Sequence, residues 1–162
     1  MRTAVLTVST RVSRREAEDA SGPLLAELAE GAGADVQAME VIPDDMALIE
    51  DRLRKFVDEG YTFIFTTGGT GLTADDVTPE ATIGVLDRDV PGIAEALRAE
   101  AARHLPTGIL TRGLAGVAER TLIVNLPGNP NAVKELFPVL APVLGHAAAL
   151  LGHESGAHHH RH

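Results

Sequence analysis

Cysteine and tryptophan are absent from this 162-residue sequence, tyrosine occurs once, at Tyr61, and aromatic residues make up 3% of the chain. Without cysteine there is no disulfide and no thiolate ligand for a metal, which agrees with a reducing, cytoplasmic setting. So few rings exclude the aromatic platforms on which single-stranded nucleic acids stack. They also leave the core to be built from Ala, Val, Leu and Ile. Lysine is scarce too, limited to Lys55 and Lys134. With 14 basic against 23 acidic residues the formal net charge is -9, so no broad basic face is expected for DNA, RNA or an anionic membrane. An anionic ligand has to be held locally. No apolar run approaches the ~18 residues of a membrane span, and MRTAVLTVST at the N-terminus lacks a signal-type cleavage region. A GxSxG nucleophile motif is missing, which removes support for covalent hydrolase chemistry.

The hydrophobic share, 44%, suits one domain with a sizeable core, placed at residues 1–152, followed by a polar, His-rich tail at 153–162 that is expected to be disordered. Short β-branched runs alternate with helical patterns, the mark of an α/β fold with a mainly parallel sheet. Strands are predicted at 3–9, 35–43, 61–67 and 121–127. Helices are predicted at about 22–31, opened by Ser21 as N-cap, and from Met46 to Gly60. "TPEATIGVLDRD" and "GIAEALRAEAARHL" read as helices separated by Pro91 and Gly92. "TGILTR" reads as a short strand with "GLAGVAER" as its return. Pro138 and Pro142 should kink or divide the last helix.

The segment TTGGTGLTADDVTPE, residues 66–80, joins a glycine loop to paired aspartates. "GTGLTA" matches a GxGxxA dinucleotide fingerprint, but it does not lie in the first βα turn and Asp75, Asp76 and Pro79 delay the helix. A Walker A loop is excluded because GxxxxGK[ST] does not occur. What remains is a strand, a loop rich in backbone N–H groups and a helix start, able to hold phosphate without lysine. A tight turn with left-handed glycines is the plainer reading. Thr78 is expected to cap the helix that has Pro79 at its first position, with Glu80 in its first turn, so Glu80 has a structural reading. Asp76 and Asp75 are not needed for that cap. An acid beside a phosphate loop makes sense if a divalent cation lies between them, and Mg²⁺ favours one or two carboxylates plus phosphate oxygens. Asp44 and Asp45 follow the second strand at the same end of the sheet. One of them can cap the following helix and the other is free for function. "NLPGNPN" is a rigid turn that could bring amides, Asn129 and Asn131 to the same crevice. Arg11, Arg14, Arg15 and Arg112 are candidate phosphate partners. The histidines offer no ordered ligand set: five fall in the last ten residues, and His104 and His146 have no partner at helical spacing.

TTGGTGLTADDVTPEAT, VIPDD, DRDVPGIAEALR and LIVNLPGNPNAVKE, in this order, resemble the Mog-type molybdopterin adenylyltransferases and molybdenum cofactor biosynthesis protein B, over roughly residues 3–151. The resemblance implies a three-layer α/β/α sandwich and a homotrimer, or a hexamer in one branch. It implies transfer of AMP from ATP to the terminal phosphate of molybdopterin with Mg²⁺, releasing pyrophosphate. It also implies possible hand-over of the product to the molybdate-insertion protein. By position, Asp44 and Asp76 match the two acids tied to catalysis and to Mg²⁺. Gly68, Gly69, Thr70 and Gly71, with Thr78, match the nucleotide and phosphate loop. Asp19, Ser21 and Gly22 match a pterin-side element, Pro127, Gly128, Asn129 and Asn131 match the second glycine loop, and Thr111 and Arg112 stand where many members have Ser-Arg. Two positions depart from the pattern: Asp75 replaces a common arginine, and Thr111 replaces serine. A non-catalytic molybdopterin-binding scaffold and a nucleotide pyrophosphatase-like hydrolase are the alternatives for this fold.

Overall fold

The fold comes from a computed structural model that describes residues 1–153. The predicted tail from 154 onward lies outside the described residues. Six strands form one sheet in the order β2-β1-β3-β6-β5-β4. The first four, β1 (Arg2–Val8), β2 (Asp35–Ile42), β3 (Phe63–Thr67) and β6 (Thr121–Leu126), are parallel. β5 (Ala115–Ala118) and β4 (Arg88–Asp89) extend the sheet antiparallel.

Alternation along the strands sends side chains to two faces, and each face is covered. Val5, Phe63, Phe65, Leu122 and Val124 pack under α2 (Ser21–Gly31), α5 (Pro91–His104) and α6 (Pro130–Leu140). Ala4, Leu6, Ile64 and Ile123 pack under α3 (Met46–Asp58) and the short α4 (Thr78–Ile83). Those are the three expected layers. All four phenylalanines and Tyr61 are buried, and Phe65 stacks on Phe63 and meets Phe137 edge-on at 5.7 Å. The scarce aromatics are therefore consumed by the core, and none is left to stack a ligand ring.

Several local expectations give way to tertiary context. α2 begins at Ser21, but Ser21 is a buried first residue; the carboxylate of Asp19 accepts from the Gly22 amide at 2.9 Å and does the capping. A short helix, α1 (Thr10–Ser13), follows β1 and is capped by Ser9. "DRD" is not helical: α4 stops at Ile83, and Arg88 and Asp89 pair with β5 as an edge strand. "TGIL" forms a 3₁₀ turn, Pro106–Leu110, in place of a strand, and the return strand is β5. Pro138 sits inside α6 without ending it, whereas Pro142 lies in the 3₁₀ turn Ala141–Val143 that separates α6 from α7 (Leu144–Leu151). The composite Pro130–Leu151 is long and apolar enough to cross a membrane by length and composition alone, unlike any run expected from the sequence. Here its Val133, Leu136, Phe137, Leu140 and Leu144 pack against the sheet.

Candidate functional site

The chain leaves β1 for β2 on one side and then crosses back to place β3 on the other side of β1. Ligands of open α/β sheets bind at the carboxyl ends flanking such a reversal. All four parallel strands end there, and each delivers a candidate site segment: Ser9 after β1, Asp44 after β2, the glycine loop after β3, and the Pro127–Asn129 turn after β6. Two adjoining clefts occupy this end. The first, about 320 Å³, is lined by Ser9, Glu18, Asp19, Ser21, Asp44 and Asp76 among others. The second, about 520 Å³, is lined by Thr70, Gly71, Leu72, Leu110, Thr111 and Pro127 among others. Gly69, Asp76 and Gly128 border both.

The glycine loop is shaped by close approach. Gly68 has φ 103°, and a Cβ there would run into the carbonyl oxygen of Val8. Gly69 has φ 69°, and its Cβ would meet the Thr78 hydroxyl and lie 3.3 Å from Asp44 Oδ1. A Cβ on Gly71 would sit 2.8 Å from Asp76 Oδ2. Only hydrogen at these positions lets the loop touch β1 and both acids. The Gly68 amide donates to Leu126 O at 3.0 Å, anchoring the loop. Those of Gly69, Thr70 and Gly71 have no partner among the described residues, so they are available to an anion.

Thr78 does not cap α4. It is fully buried, and its hydroxyl donates to Gly68 O at 3.0 Å while its amide donates to Gly69 O at 3.1 Å. It ties the loop to the helix from beneath and does not line either cleft.

The acids separate by their partners. Asp45 caps α3, accepting from the Leu48 amide at 3.0 Å, so Asp44 is the free member of the pair. Asp44 Oδ2 accepts from the Thr10 amide at 3.0 Å and the Thr10 hydroxyl at 2.9 Å. Asp76 Oδ2 accepts from the Thr73 amide at 3.1 Å and the Thr73 hydroxyl at 2.8 Å. In each the second carboxylate oxygen is left without a hydrogen bond among the described residues. Asp19 has both oxygens engaged, by Gly22 and by the Thr7 hydroxyl at 2.9 Å. Asp75 is exposed and lines neither cleft.

No arginine or lysine lines either cleft among the described residues. That includes the candidates Arg11, Arg14 and Arg15. Arg112 lies behind the second cleft. Its side chain donates to Gly71 O and Asp76 O, both at 2.7 Å, and to both oxygens of Glu80 at 2.7 and 3.2 Å. This pairing holds the Glu80 carboxyl below its ordinary value and raises the guanidinium above its own. Glu80 is thus an ion-pair partner more than a helix-end charge. Asn129 caps α6 by accepting from the Asn131 amide at 2.8 Å; Asn131 itself is exposed and lines neither cleft.

Sequence reasoning missed Thr10 and Thr7, which hold Asp44 and Asp19. It also missed Asn125, buried beneath the site, whose amide donates to the Thr66 and Thr82 hydroxyls at 3.0 and 3.1 Å and whose oxygen accepts from the Leu114 amide. A polar residue inside the apolar run TLIVNL was the available signal for Asn125. Nothing local marks Thr10.

An acid-lined, amide-rich crevice at the switch point of a mainly parallel sheet defines a class: open α/β proteins whose candidate ligand crevice lies at the carboxyl ends of the strands. Comparison with known proteins narrows it. Residues 4–146 match the family model described as "Probable molybdopterin binding domain". The chain is 40% identical over 138 residues to molybdopterin adenylyltransferase of Haemophilus influenzae, covering 83% of this chain and 70% of that protein. It is 40% identical over 150 residues to the molybdenum cofactor synthesis protein cinnamon of Drosophila melanogaster, covering 91% of this chain but about a quarter of that longer protein (25%). The solved structure of the molybdopterin biosynthesis enzyme MoaB from Thermus thermophilus superposes with a TM-score of 0.87 at 44% identity, over 93% of this chain and 95% of that one. The chain belongs to the molybdopterin-binding family of molybdenum cofactor biosynthesis proteins.

Proposed function

We propose that this protein is a cytoplasmic molybdopterin adenylyltransferase. A terminal phosphate oxygen of molybdopterin attacks the α-phosphorus of ATP. A new P–O bond forms, the bond to the β-phosphate oxygen breaks, and pyrophosphate leaves. The observation that carries this reading is the meeting of two clefts at Gly69, Asp76 and Gly128, which suits two substrates that meet phosphate to phosphate. In this assignment the first cleft, with Asp19, Ser21 and Asp44, takes the pterin side, and the second, with Thr70, Gly71 and Thr111, takes the nucleotide. The amides of Gly69, Thr70 and Gly71 hold phosphate oxygens and fix the line of attack, which is most of what such a reaction asks of a protein.

Four acids, Glu18, Asp19, Asp44 and Asp76, line the first cleft with no basic side chain to offset them. Phosphates entering there require a cation, and the open oxygens of Asp44 and Asp76 fit Mg²⁺. No group of three or more His, Cys, Asp or Glu side chains among the described residues could hold a metal ion alone. That agrees with an ion shared between one or two carboxylates and substrate phosphates. When bound, Mg²⁺ would offset charge on the transferring phosphoryl group. Asp44 and Asp76 would hold it, with Thr10 and Thr73 fixing the orientation of each carboxylate.

A trimer, and transfer of the product to a molybdate-insertion protein, belong to the same proposal. Leu110, which lines the second cleft, and the nearby Leu105 and Ile109 of the same turn region are exposed apolar residues that support a contact surface there. Incubation of the purified protein with molybdopterin, ATP and Mg²⁺ should yield adenylyl-molybdopterin and pyrophosphate. Pyrophosphate release without any pterin acceptor would favour a hydrolase. Molybdopterin binding with no ATP binding at millimolar concentration would favour a scaffold. Asp76→Asn should fold normally and lose most adenylylation, and full retention would overturn the role given to Asp76.

A further inference from the structure

The segment between Gly71 and Asp76 has little holding it internally: the Asp76 amide donates to Thr73 O at 3.0 Å, and Thr73 returns two bonds to the Asp76 carboxylate. Leu72, Thr73, Ala74 and Asp75 are all exposed. Yet its last residue, Asp76, borders both clefts.

The segment at 111–114 is firmly strapped. Arg98 of α5 donates to Thr111 O at 3.3 Å and to Gly113 O at 2.9 Å. Asn125 accepts from the Leu114 amide through its side chain and donates its own amide to Leu114 O. A Cβ on Gly113 would lie 2.9 Å from Asn125 O, so glycine is needed for this close seat. From that platform the Arg112 amide donates to Thr70 O at 2.9 Å, and its side chain reaches Gly71 O with Nε and Asp76 O with Nη2. One guanidinium thereby bonds the backbone at both ends of the exposed segment, and Glu80 on α4 takes two further bonds. Four of the roughly five N–H donors of an arginine are engaged, which leaves little for a ligand.

We propose that Arg112 is a positioning residue, a latch that holds both ends of the segment Gly71–Asp76 to the 111–114 platform and so presents Asp76 to the junction of the clefts, with Glu80 fixing the guanidinium. This replaces the expectation that Arg112 binds phosphate directly. It rests on the role given to Asp76 above only for its effect on turnover; the latch itself is a property of the free protein.

Glu80→Gln separates the two roles. If Arg112 were a phosphate ligand restrained by Glu80, neutralising Glu80 would release a cation and tighten ATP binding. If Arg112 is a latch, Glu80→Gln loosens it and cannot tighten ATP. Hydrogen exchange of the ligand-free protein reads the latch without any reaction. In Arg112→Ala the Thr73 and Asp76 amides should exchange about tenfold faster, with β1 and β3 unchanged. Glu80→Gln should give about threefold, since glutamine still accepts one bond. Arg112→Lys should fall between wild type and alanine. Where adenylylation is measurable, kcat should drop in the same order with KM for ATP changed less than twofold. Unchanged exchange at Thr73 and Asp76 in Arg112→Ala overturns the proposal, as does tighter ATP binding in Glu80→Gln. Should Arg112→Ala fail to fold, unchanged exchange in Glu80→Gln overturns it alone. Absence of adenylylation in the wild type, with the exchange pattern intact, would count against the proposed function and leave the latch standing.

Discussion

Replacing Gly68 with alanine tests the claim that the shape of the glycine loop depends on its close approach to the end of β1. Gly68 holds φ at 103°, outside the range an L-residue adopts readily, and the new methyl would collide with the Val8 carbonyl oxygen and lie 3.3 Å from its carbon. Both obstacles are backbone, and Val8 is 2% exposed at the end of a paired strand, so neither can swing aside. Backbone strain costs of order 1–3 kcal/mol. Forcing a methyl into a packed site costs about 1–3 kcal/mol more. Together these amount to about 2–6 kcal/mol, against a typical domain stability of about 5–15 kcal/mol. Two other glycines calibrate the effect. A Cβ on Gly128 would stand 3.1 Å from Gly68 Cα with no unusual φ, so Gly128→Ala should cost about 1 kcal/mol or less, the low end of overpacking. Gly31, in α2, has nothing within 4 Å of a built Cβ, and Gly31→Ala should gain about 0.4–1 kcal/mol by restricting the unfolded chain. Urea unfolding followed by circular dichroism gives all three, read as midpoint shifts at constant slope. The order Gly31→Ala above wild type, Gly128→Ala slightly below and Gly68→Ala far below is expected. A Gly68→Ala protein within about 0.5 kcal/mol of wild type, the usual range of innocuous surface changes, would refute the reasoning from close approach.

Thr10→Val removes the hydroxyl that both donates to Asp44 Oδ2 and accepts from the Asp44 amide; adenylylation kinetics should show kcat reduced by about tenfold, while urea unfolding shows a loss of about 1 kcal/mol. Asn125→Leu leaves the Leu114 amide unsatisfied under the site and strips a partner from Thr66 and Thr82, so a loss of about 2–4 kcal/mol is expected from calorimetry or urea unfolding. The Glu80 carboxyl is lowered by its hydrogen bond with Arg112, so the pair's stabilisation is complete above the ordinary carboxyl value of 4.5 and is lost as pH falls through the lowered one. The stability difference between wild type and Glu80→Gln should accordingly shrink on titration from pH 6 to pH 3. Chelation of divalent cations should abolish ATP binding by isothermal calorimetry without changing the urea midpoint, because an ion held mainly by substrate phosphates and one or two carboxylates leaves with the substrate.

The layered fold was legible because it rests on local periodicity. β1, β3 and β6 are short runs buried on both faces, β2 alternates, and the helices α2 and α3 carry three-four spaced apolar residues; each formed within a residue or two of its expected bounds. Motif order was equally legible, since TTGGTG, VTPE and LPGNP occur together in the sequence, and the family follows from it. Errors fell where tertiary bonds outbid local preference. Thr78 has an N-cap's composition but gives its hydroxyl to Gly68 O, and Arg88 and Asp89 leave a helical pattern because β5 supplies an edge to pair with. Which of Asp44 and Asp45 caps the helix was left open by the residues themselves for the same reason. Asp44 and Asp45 are neighbours in sequence, and only the approach of Thr10, 34 residues earlier, makes one a held carboxylate while the other caps a helix. Arg112 is the sharpest instance: the sequence offers it as a candidate phosphate partner, and the side-chain bonds it makes in the structure reach residues 32 to 41 positions away. Composition and pattern therefore determined the four parallel strands, the helices α2 and α3 that cover them, and the lack of a net basic charge. Which polar groups are satisfied by the protein and which remain for a ligand was decided by the tertiary structure, because a hydrogen bond depends on where chain-distant donors and acceptors come to rest.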